Sequence, residues 1–272
     1  MRAHMNDTDP ATLYRHIWDK KYTCADDFYS DHITLSRVER FARQILPYSQ
    51  RYNPNLTLHD EKHSIRVMDN INKIVDMIEE NGIIPSHTEM ELLYYSAWYH
   101  DIGLLLSPNT YGQNNSDGVK HGRRSSEMIR GHDLVGDSEE ITEAVCTIVE
   151  SHSYGTDGVP QSVTIAGEAV RLRMLCSILC LADLCDYNKH RAQNVVYEIL
   201  KHELSEEENS HWIANRSLDI QIDAKNGVIL VSKISDIDCG VLLEPFEKYA
   251  PIHISNIEGL ALEIVYNDVE RL

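Results

Sequence analysis

The chain has 272 residues, of which 42% are hydrophobic and 25% charged, a composition typical of a globular protein with one large domain or one domain and a small appendage. Its 25 Lys and Arg residues against 43 Asp and Glu residues give a net charge of −18, which disfavours long nucleic acid as a partner because that binding depends on neutralising phosphates. The sequence contains no apolar run of the roughly 20 residues that a membrane helix needs, and its first residues lack the apolar core of a signal peptide. We therefore predict a cytoplasmic protein with no membrane partner.

Cysteine and histidine usage narrows the chemistry. The six cysteines include no CxxC pair, which argues against a zinc ribbon or a thioredoxin-like site and suits a reducing cytoplasm. The 14 histidines are more informative, because His is the commonest metal ligand and titrates near neutral pH. The composition favours a small molecule or a protein as partner, with histidines as candidate metal ligands.

Helical periodicity predominates as far as about residue 215. Apolar residues at helical spacing predict helices over 33–45 and 65–78, the second stopping at Asn81-Gly82. The nearly continuous apolar and aromatic segment 91–100 predicts a central helix. The polar segment NTYGQNNSDG predicts a loop at 109–118. Further helices are predicted at 119–131, 138–151, 166–187 and 191–203, with a turn at 154–159.

The pattern changes near the C-terminus. Residues 217–223 (SLDIQID) alternate apolar and polar side chains, AKNG carries an Asn-Gly turn, and 228–233 (VILVSK) favour a strand, which together predict a β hairpin. A further strand is predicted within 259–266, with helix as the alternative. The fold expected is mainly α, a helical bundle with a small C-terminal α+β appendage.

The dipeptide His-Asp occurs three times, as His59-Asp60, His100-Asp101 and His132-Asp133. The third copy is interpreted as a solvated turn or helix cap, and the first as a helix start, where Asp interacts favourably with the helix dipole. The second follows a run of apolar and aromatic residues, so burying it costs several kcal/mol unless a metal ion or a His–Asp hydrogen bond compensates. That pair by itself leaves both explanations open.

Four other ionisable residues lie at partly apolar points of different predicted helices: His63, His121, His152 and Asp183. Imidazoles and carboxylates that converge from several helices are how a bundle interior holds a di-metal site. Taken with His100-Asp101, the set favours metal binding over a plain hydrogen bond.

This ordered series resembles the HD-domain superfamily of metal-dependent phosphohydrolases, over roughly residues 55–192. HDIG at 100–103 resembles the family's namesake motif, and HSYGTDG at 152–158 resembles the HHExxDG stretch of the HD-GYP cyclic-dinucleotide phosphodiesterases. Three further segments resemble ligand helices of the family: HSIRV at 63–67, HGRRSSEMI at 121–129 and LADLCDYNKHR at 181–191. The segment from 181 to the hairpin also resembles a branch found alone or fused to Hsp90-like ATPase domains.

The resemblance implies a set of ligands and metals. His63, His100, Asp101 and Asp183 would hold one metal, and Asp101 would bridge to a second metal completed by His121 and His152. His100 and Asp101 would thereby also be the catalytic residues. The cofactors implied are two divalent transition-metal ions, iron or manganese first, with nickel, cobalt, magnesium or zinc as alternatives, since mixed nitrogen and oxygen ligands do not choose among them.

The sequence departs from the family pattern at three points. Ser153 stands in place of the second His of HHExxDG, the GYP element is missing, and Leu104 stands where the family often has a phosphate-contacting lysine. Other side chains must then bind phosphate, and the candidates are Lys62, Arg66, Arg123, Arg124, Lys189, Arg191 and His59. For Arg191 two interpretations are open, an ion pair with Asp186 and a substrate clamp; for the other cations a solvated surface position is the simpler one.

The function predicted is a metal-dependent phosphohydrolase or phosphodiesterase that acts on a nucleotide or cyclic (oligo)nucleotide through a metal-activated water. The alternative is a non-catalytic HD module that binds a nucleotide or a protein partner as a sensor. The chain divides into an N-terminal extension (1–30), the HD domain (31–205) and the appendage (206–272). A homo-oligomer is compatible with the sequence.

Overall fold

A computed structural model describes residues 25–49, 51–52, 54–107, 121–136, 138–235 and 237–267. The loop predicted at 109–118 lies outside the described residues, as does most of the predicted N-terminal extension. The helices are α1 Ala25–Ile45, α2 Glu61–Glu80, α3 His87–Tyr99, α4 His121–Gly131, α5 Glu139–Tyr154, α6 Leu172–Leu184, α7 Asn194–Leu200, α8 Glu206–Ser217 and α9 Gly240–Asn256. Short 3₁₀ helices cover Leu46–Tyr48 and Ile102–Leu105. The strands are β1 Val163–Ile165, β2 Glu168–Val170, β3 Leu218–Asp223, β4 Val228–Lys233 and β5 Glu263–Asn267.

Helix α3 lies at the centre of the bundle, as its apolar sequence predicts. It packs against α1, α2, α5 and α6, and its aromatic residues Tyr94, Trp98 and Tyr99 are fully buried. A capping box fixes its start, because the Ser86 hydroxyl accepts from the Glu89 backbone N–H while the Glu89 carboxylate accepts from that of Ser86. The helix therefore places the two residues that follow it, His100 and Asp101, in the protein interior.

The helix predicted over 166–187 is wrong at its beginning. Strands β1 and β2 form an antiparallel hairpin there, with Val163 opposite Val170, and α6 starts only at Leu172. The turn between the strands places Ala166 at φ 49° and Gly167 at φ 85°, a left-handed backbone that continues neither a helix nor a strand. The last helix before the appendage is also shorter than the predicted 191–203, since α7 covers 194–200.

The C-terminal hairpin is confirmed, with Leu218 paired to Lys233 in the antiparallel β3–β4 ladder. Strand β5 adds in parallel to β4, so 263–267 is strand rather than helix. The sequence pattern does not single out α8 or α9, and α9 carries Pro245 and Pro251 in its interior, where proline usually disrupts a helix.

The buried side chains of the helices and of the C-terminal elements form one continuous core. Ile220 and Ile222 of β3 and Phe246 of α9 belong to the same cluster as the residues of α3 and α6. The protein is mainly α with a small C-terminal sheet, as expected. The division of the chain at residue 205 stays a prediction.

Candidate metal centre

The six predicted ligands all lie at or next to helix ends, and the structure brings these ends together. His63 is in the first turn of α2, where its backbone N–H donates to the capping carboxylate of Asp60 at 3.1 Å. His100 caps the C-terminus of α3, and Asp101 links it to the following 3₁₀ helix. The remaining three ligands are at the start of α4, in the last turn of α5 and near the end of α6: His121, His152 and Asp183.

One half of the cluster surrounds the Nε2 atom of His63. This atom lies 3.0 Å from His100 Nε2, 3.3 Å from Asp101 Oδ2 and 3.2 Å from Asp183 Oδ1. His63, His100 and Asp101 are buried, and one ligand atom from each lies within 4.8 Å of the other two. These are the residues that the resemblance assigns to one metal.

The other half of the cluster uses the second oxygen of the same carboxylate. Asp101 Oδ1 lies 3.0 Å from His121 Nε2 and 3.6 Å from His152 Nε2, and the two imidazole nitrogens are 2.7 Å apart. Asp101, His121 and His152 also form a group whose ligand atoms lie within 4.8 Å of one another. Asp101 therefore faces both halves, one oxygen to each, as a bridging ligand would.

The hydrogen bonds behind the imidazoles leave their inner nitrogens available for a cation. His100 Nδ1 lies 2.9 Å from the Ala97 carbonyl, and His152 Nδ1 lies 2.5 Å from that of Val149. A carbonyl oxygen can only accept, so both rings carry a proton on Nδ1, and in the neutral form of such a ring the lone pair is on Nε2. Lone pairs that converge on carboxylate oxygens require a proton or a metal ion between them, and the donor set fits a metal ion.

The carboxylates around His63 also favour positive charge at this point. Burial and the nearby Arg191 act against a charged imidazole, but Asp101, Asp183 and Asp186 outweigh them and raise the pKa of His63 to about 10. Asp101 Oδ2 and Asp183 Oδ1 are buried and accept no hydrogen bond from any described residue. A cation in the cluster would satisfy both oxygens.

Two glycines allow the elements to approach closely enough for this geometry. A Cβ on Gly103 would lie 2.3 Å from the His121 carbonyl oxygen and 2.4 Å from the Ser125 nitrogen. A Cβ on Gly122 would lie 2.8 Å from both the Val149 carbonyl oxygen and the Ser153 hydroxyl. The glycine of HDIG is thus required to hold α4, and with it His121, against Asp101.

The structure separates the three His-Asp pairs as the sequence predicts. Asp60 caps α2, while His132 and Asp133 are exposed in the turn after α4. His59 faces the same cavity as the cluster, with its Nε2 2.5 Å from Arg191 Nη2. Burial and then Arg191 hold the pKa of His59 well below its usual range, so this imidazole is neutral.

The cluster of candidate metal ligands opens into a cavity of about 710 Å³. Asp101, His121, His152 and Asp183 line it, together with Arg191. One wall of the cavity is not predicted from the sequence. We call it the C-terminal wall and define it as the cavity-lining residues of α8 and α9: Glu207, Glu208, His211, Asn215, Leu242, Pro245, Tyr249 and His253. No local motif marks these residues, because their approach to the cluster is a tertiary contact.

Most of the predicted phosphate-binding side chains lie away from the cavity. Arg124 is fully buried and donates through Nε to the Gly103 carbonyl at 3.1 Å, so it is a structural residue of the α4 contact. Arg123 is exposed and pairs with Glu127, and Lys62 and Lys189 are exposed outside the cavity lining. For these four cations the geometry gives no support for contact with a ligand in the cavity.

The sequence left two interpretations open for Arg191, an ion pair with Asp186 and a substrate clamp, and the positions of Arg66 and Arg191 bear on both. Arg66 forms the ion pair with Asp186, through bonds of 2.6 and 2.9 Å, and does not line the cavity. Arg191 lies in the cavity, 3.7 Å from Asp183 at its nearest carboxylate contact, and its buried Nε has no hydrogen-bond partner among the described residues. Its position favours the substrate clamp.

The departures from the family pattern have visible consequences. Ser153 accepts a hydrogen bond from the Gly122 backbone N–H at 3.1 Å and so joins α5 to the start of α4. Leu104 lines the cavity and brings no cation to it.

Within the described ranges, no helix has the length and apolar character needed to cross a membrane.

Comparison with known proteins identifies the family of the chain. A model of the HD-CE family, a family of HD-type domains, matches residues 53–239, a span that contains every candidate metal ligand and extends through the C-terminal hairpin. No curated protein and no solved structure matches the chain. The family match covers more than half of the chain, and the chain belongs to the HD-CE family.

Proposed function

We propose that the protein is a metal-dependent phosphohydrolase that acts on a phosphoester of a nucleotide or cyclic (oligo)nucleotide. The observation that carries the proposal is the two-sided cluster around Asp101, which lies in the lining of a cavity that also holds Arg191. His63, His100, Asp101 and Asp183 would hold one divalent ion, and Asp101, His121 and His152 a second, iron or manganese first. Bound there, such ions lower the pKa of water and neutralise phosphoryl oxygens.

The protein side chains would position the phosphate. Arg191 presents a guanidinium whose buried Nε–H has no acceptor among the described residues, and leaving such a charged donor unpaired is costly. A phosphoryl oxygen would supply that acceptor. The neutral His59 contacts Nη2 of Arg191, and both side chains line the cavity. The Arg191 guanidinium also lies 5.9 Å from the Tyr187 ring, which limits its rotation.

The dimensions and charge of the cavity support the proposal of a small phosphate-bearing molecule as the substrate. Its volume of about 710 Å³ is within the ~300–1,000 Å³ usual for small-molecule sites. Among its described lining residues, Arg191 is the one Lys or Arg, against the carboxylates of Asp101, Asp183, Glu207 and Glu208. That balance suits one phosphoryl group at the metals better than a long polyanion.

The test compares two His-Asp pairs of the same chain. His100→Ala and Asp101→Ala are expected to lose bound metal and all hydrolysis of bis(p-nitrophenyl) phosphate and nucleotides. His132→Ala and Asp133→Ala remove the same groups from an exposed turn and should keep both properties. Elemental analysis of protein purified without added metal is expected to give about two ions per chain in the wild type. Equal losses in both pairs would contradict the proposal.

The alternative, a non-catalytic nucleotide sensor, is favoured by one observation: Leu104 brings no cation to the cavity at the position of the family's lysine. A sensor would bind metal and nucleotide and hydrolyse no phosphoester. Screening nucleotides, linear dinucleotides and cyclic dinucleotides for released phosphate or monoester separates the two functions.

A further inference from the structure

The C-terminal wall contributes surface to the cavity but none of the candidate metal ligands. Its two helices are fixed to the rest of the bundle. The indole Nε1 of the buried Trp212 on α8 donates to the Asn55 carbonyl at 2.6 Å, and Asn256 on α9 donates to the Thr156 hydroxyl at 3.2 Å. Thr156 follows His152 by four residues, so α9 is anchored beside the cluster of candidate metal ligands. The wall therefore has a defined position relative to the cluster and can discriminate between ligands.

Two polar side chains of this wall are buried without full hydrogen bonding. Asn215 is 2% exposed; its Nδ2 donates to the His211 carbonyl at 3.0 Å, and its Oδ1 has no partner in the part of the chain that the structure describes. His253 is 4% exposed, and its Nδ1 likewise has no partner within the described ranges. An unpaired buried polar atom costs about 1–3 kcal/mol. Both side chains line the cavity, so a ligand there could remove that cost.

The chemistry of the two side chains limits what such a ligand offers. The Asn215 oxygen can only accept, so its partner must carry an N–H or O–H. Burial lowers the pKa of His253 to about 4, which makes its imidazole neutral at pH 7 and removes any charge attraction for an anion. A phosphomonoester dianion or a phosphodiester monoanion has no proton to donate to Asn215. The carboxylates of Glu207 and Glu208, on the same wall, would also repel it.

The part of the wall that α9 contributes besides His253 is apolar and partly aromatic. Leu242, Pro245 and Tyr249 line the cavity from α9. Such a surface favours a flat ring over a polyhydroxyl sugar, whose hydroxyls would lose water without gaining partners. A ring with N–H groups on its edge meets both requirements, the apolar face and the edge donors.

We propose that Asn215 and His253 are specificity-determining residues that bind the uncharged nucleobase of the substrate, while its phosphoryl group lies at the Asp101 side of the cavity beside Arg191. This inference rests on the proposed function, because it places the nucleobase and the phosphoryl group of one substrate in different parts of the same cavity. It adds that the helices outside the predicted HD domain select the substrate.

Binding measured without turnover tests the two ends separately. Adenosine, guanosine, cytidine, uridine, their 5′-monophosphates and inorganic phosphate are titrated calorimetrically into the metal-loaded protein. At least one nucleoside should bind, and Asn215→Leu and His253→Phe should weaken it and its monophosphate about 10-fold. Affinity for inorganic phosphate should not change. Ser210→Ala and Ser255→Ala, at exposed positions of α8 and α9, are the matched controls and should bind all probes normally.

The outcomes distinguish this inference from the proposed function. Failure of every nucleoside and monophosphate to bind, or equal weakening of nucleoside and inorganic phosphate, would overturn the assignment of Asn215 and His253. Nucleoside binding that depends on these residues, in a protein that hydrolyses no phosphoester, would support the recognition wall and contradict hydrolysis. Circular dichroism and the affinity for inorganic phosphate show whether each variant is folded. If Asn215→Leu or His253→Phe fails to fold, the same titrations are made with Asn215→Ala or His253→Gln.

Discussion

Asp186 does not line the cavity; it contacts His63 on the side of the ring that faces away from the other candidate ligands. Its Oδ2 accepts from His63 Nδ1 at 2.6 Å, and Arg66 and Asn188 bond the same carboxylate. Burial opposes the charge of this carboxylate, but the contacts with His63 and Arg66 outweigh it and lower the pKa of Asp186 to about 2. The ionised Asp186 thus orients the His63 ring and directs its Nε2 toward the cluster.

Asp186→Asn is expected to weaken metal binding by about 10- to 100-fold while the protein stays folded. The amide keeps the size of the side chain but loses the charge that fixes the His63 tautomer. Metal content at limiting free metal is the measurement, with Asp133→Asn as the control because Asp133 is exposed at φ 49°, a conformation that Asn tolerates well. Unchanged metal affinity would show that Asp186 has no orienting role.

Arg191 offers a test of the phosphate clamp at a single side chain. Arg191→Lys keeps the positive charge but loses the planar fork and its Nε–H. We expect kcat/KM for a phosphodiester to fall about 10- to 100-fold with unchanged metal content, the loss of one charged hydrogen bond. Lys189→Ala, at an exposed position on the same segment, should have no effect. A fall in metal content that matches the fall in activity would instead assign Arg191 to holding Asp183.

The cluster is built from helix ends, so the contacts between helices determine its geometry. Gly103 lets the 3₁₀ helix after Asp101 touch the backbone of α4, and Ser125 completes the contact by accepting from the Gly103 N–H at 2.8 Å and donating to the His100 carbonyl at 2.6 Å. The two atoms closest to a Cβ at position 103, the His121 carbonyl oxygen and the Ser125 nitrogen, are backbone atoms and cannot move without shifting α4.

Gly103→Ala is expected to destabilise the protein by about 3 kcal/mol, because the new methyl group must push α4 away from His100. The same movement separates His121 from Asp101 and should lower metal content. Urea unfolding and elemental analysis measure the two effects. Gly131→Ala is the matched control, since a Cβ there meets nothing within 4 Å, and the change should be neutral or stabilising by up to about 1 kcal/mol. Equal stability of the two variants would contradict this close approach of Gly103 to α4.

The sequence predicts the elements that hold the ligands better than those that surround the substrate. His100 and Asp183 are recognisable because they interrupt apolar helices, where an ionisable side chain needs compensation. The boundary before α6 could not be predicted from helical periodicity, because the Ala166-Gly167 turn divides a segment of similar hydrophobicity. Asn215 and His253 carry no local signal at all, since their relation to the cavity depends on how α8 and α9 pack.

At the scale of the whole molecule, both the hydrophobic core and the cavity contain residues from before and after residue 205, the predicted domain boundary. Leu218 and Ile220 of β3 join the core formed by the helices before 205, and the Ile220 backbone N–H donates to the Tyr187 carbonyl at 3.1 Å. Helix α9 packs against α6, which carries Asp183. The C-terminal elements therefore act as part of the same packed body and complete the wall of the cavity.

A fragment of residues 31–205 is accordingly expected to lose the cooperative unfolding of the complete chain. Without Ile220, Ile222 and Phe246 the fragment exposes one side of its apolar core, and the cavity loses the C-terminal wall. The complete chain should unfold in a single urea transition followed alike by circular dichroism and fluorescence, and the fragment in a broad transition with a smaller m-value. A fragment with the same midpoint and metal content as the complete chain would instead make residue 205 a true domain boundary and α8 and α9 an independent unit.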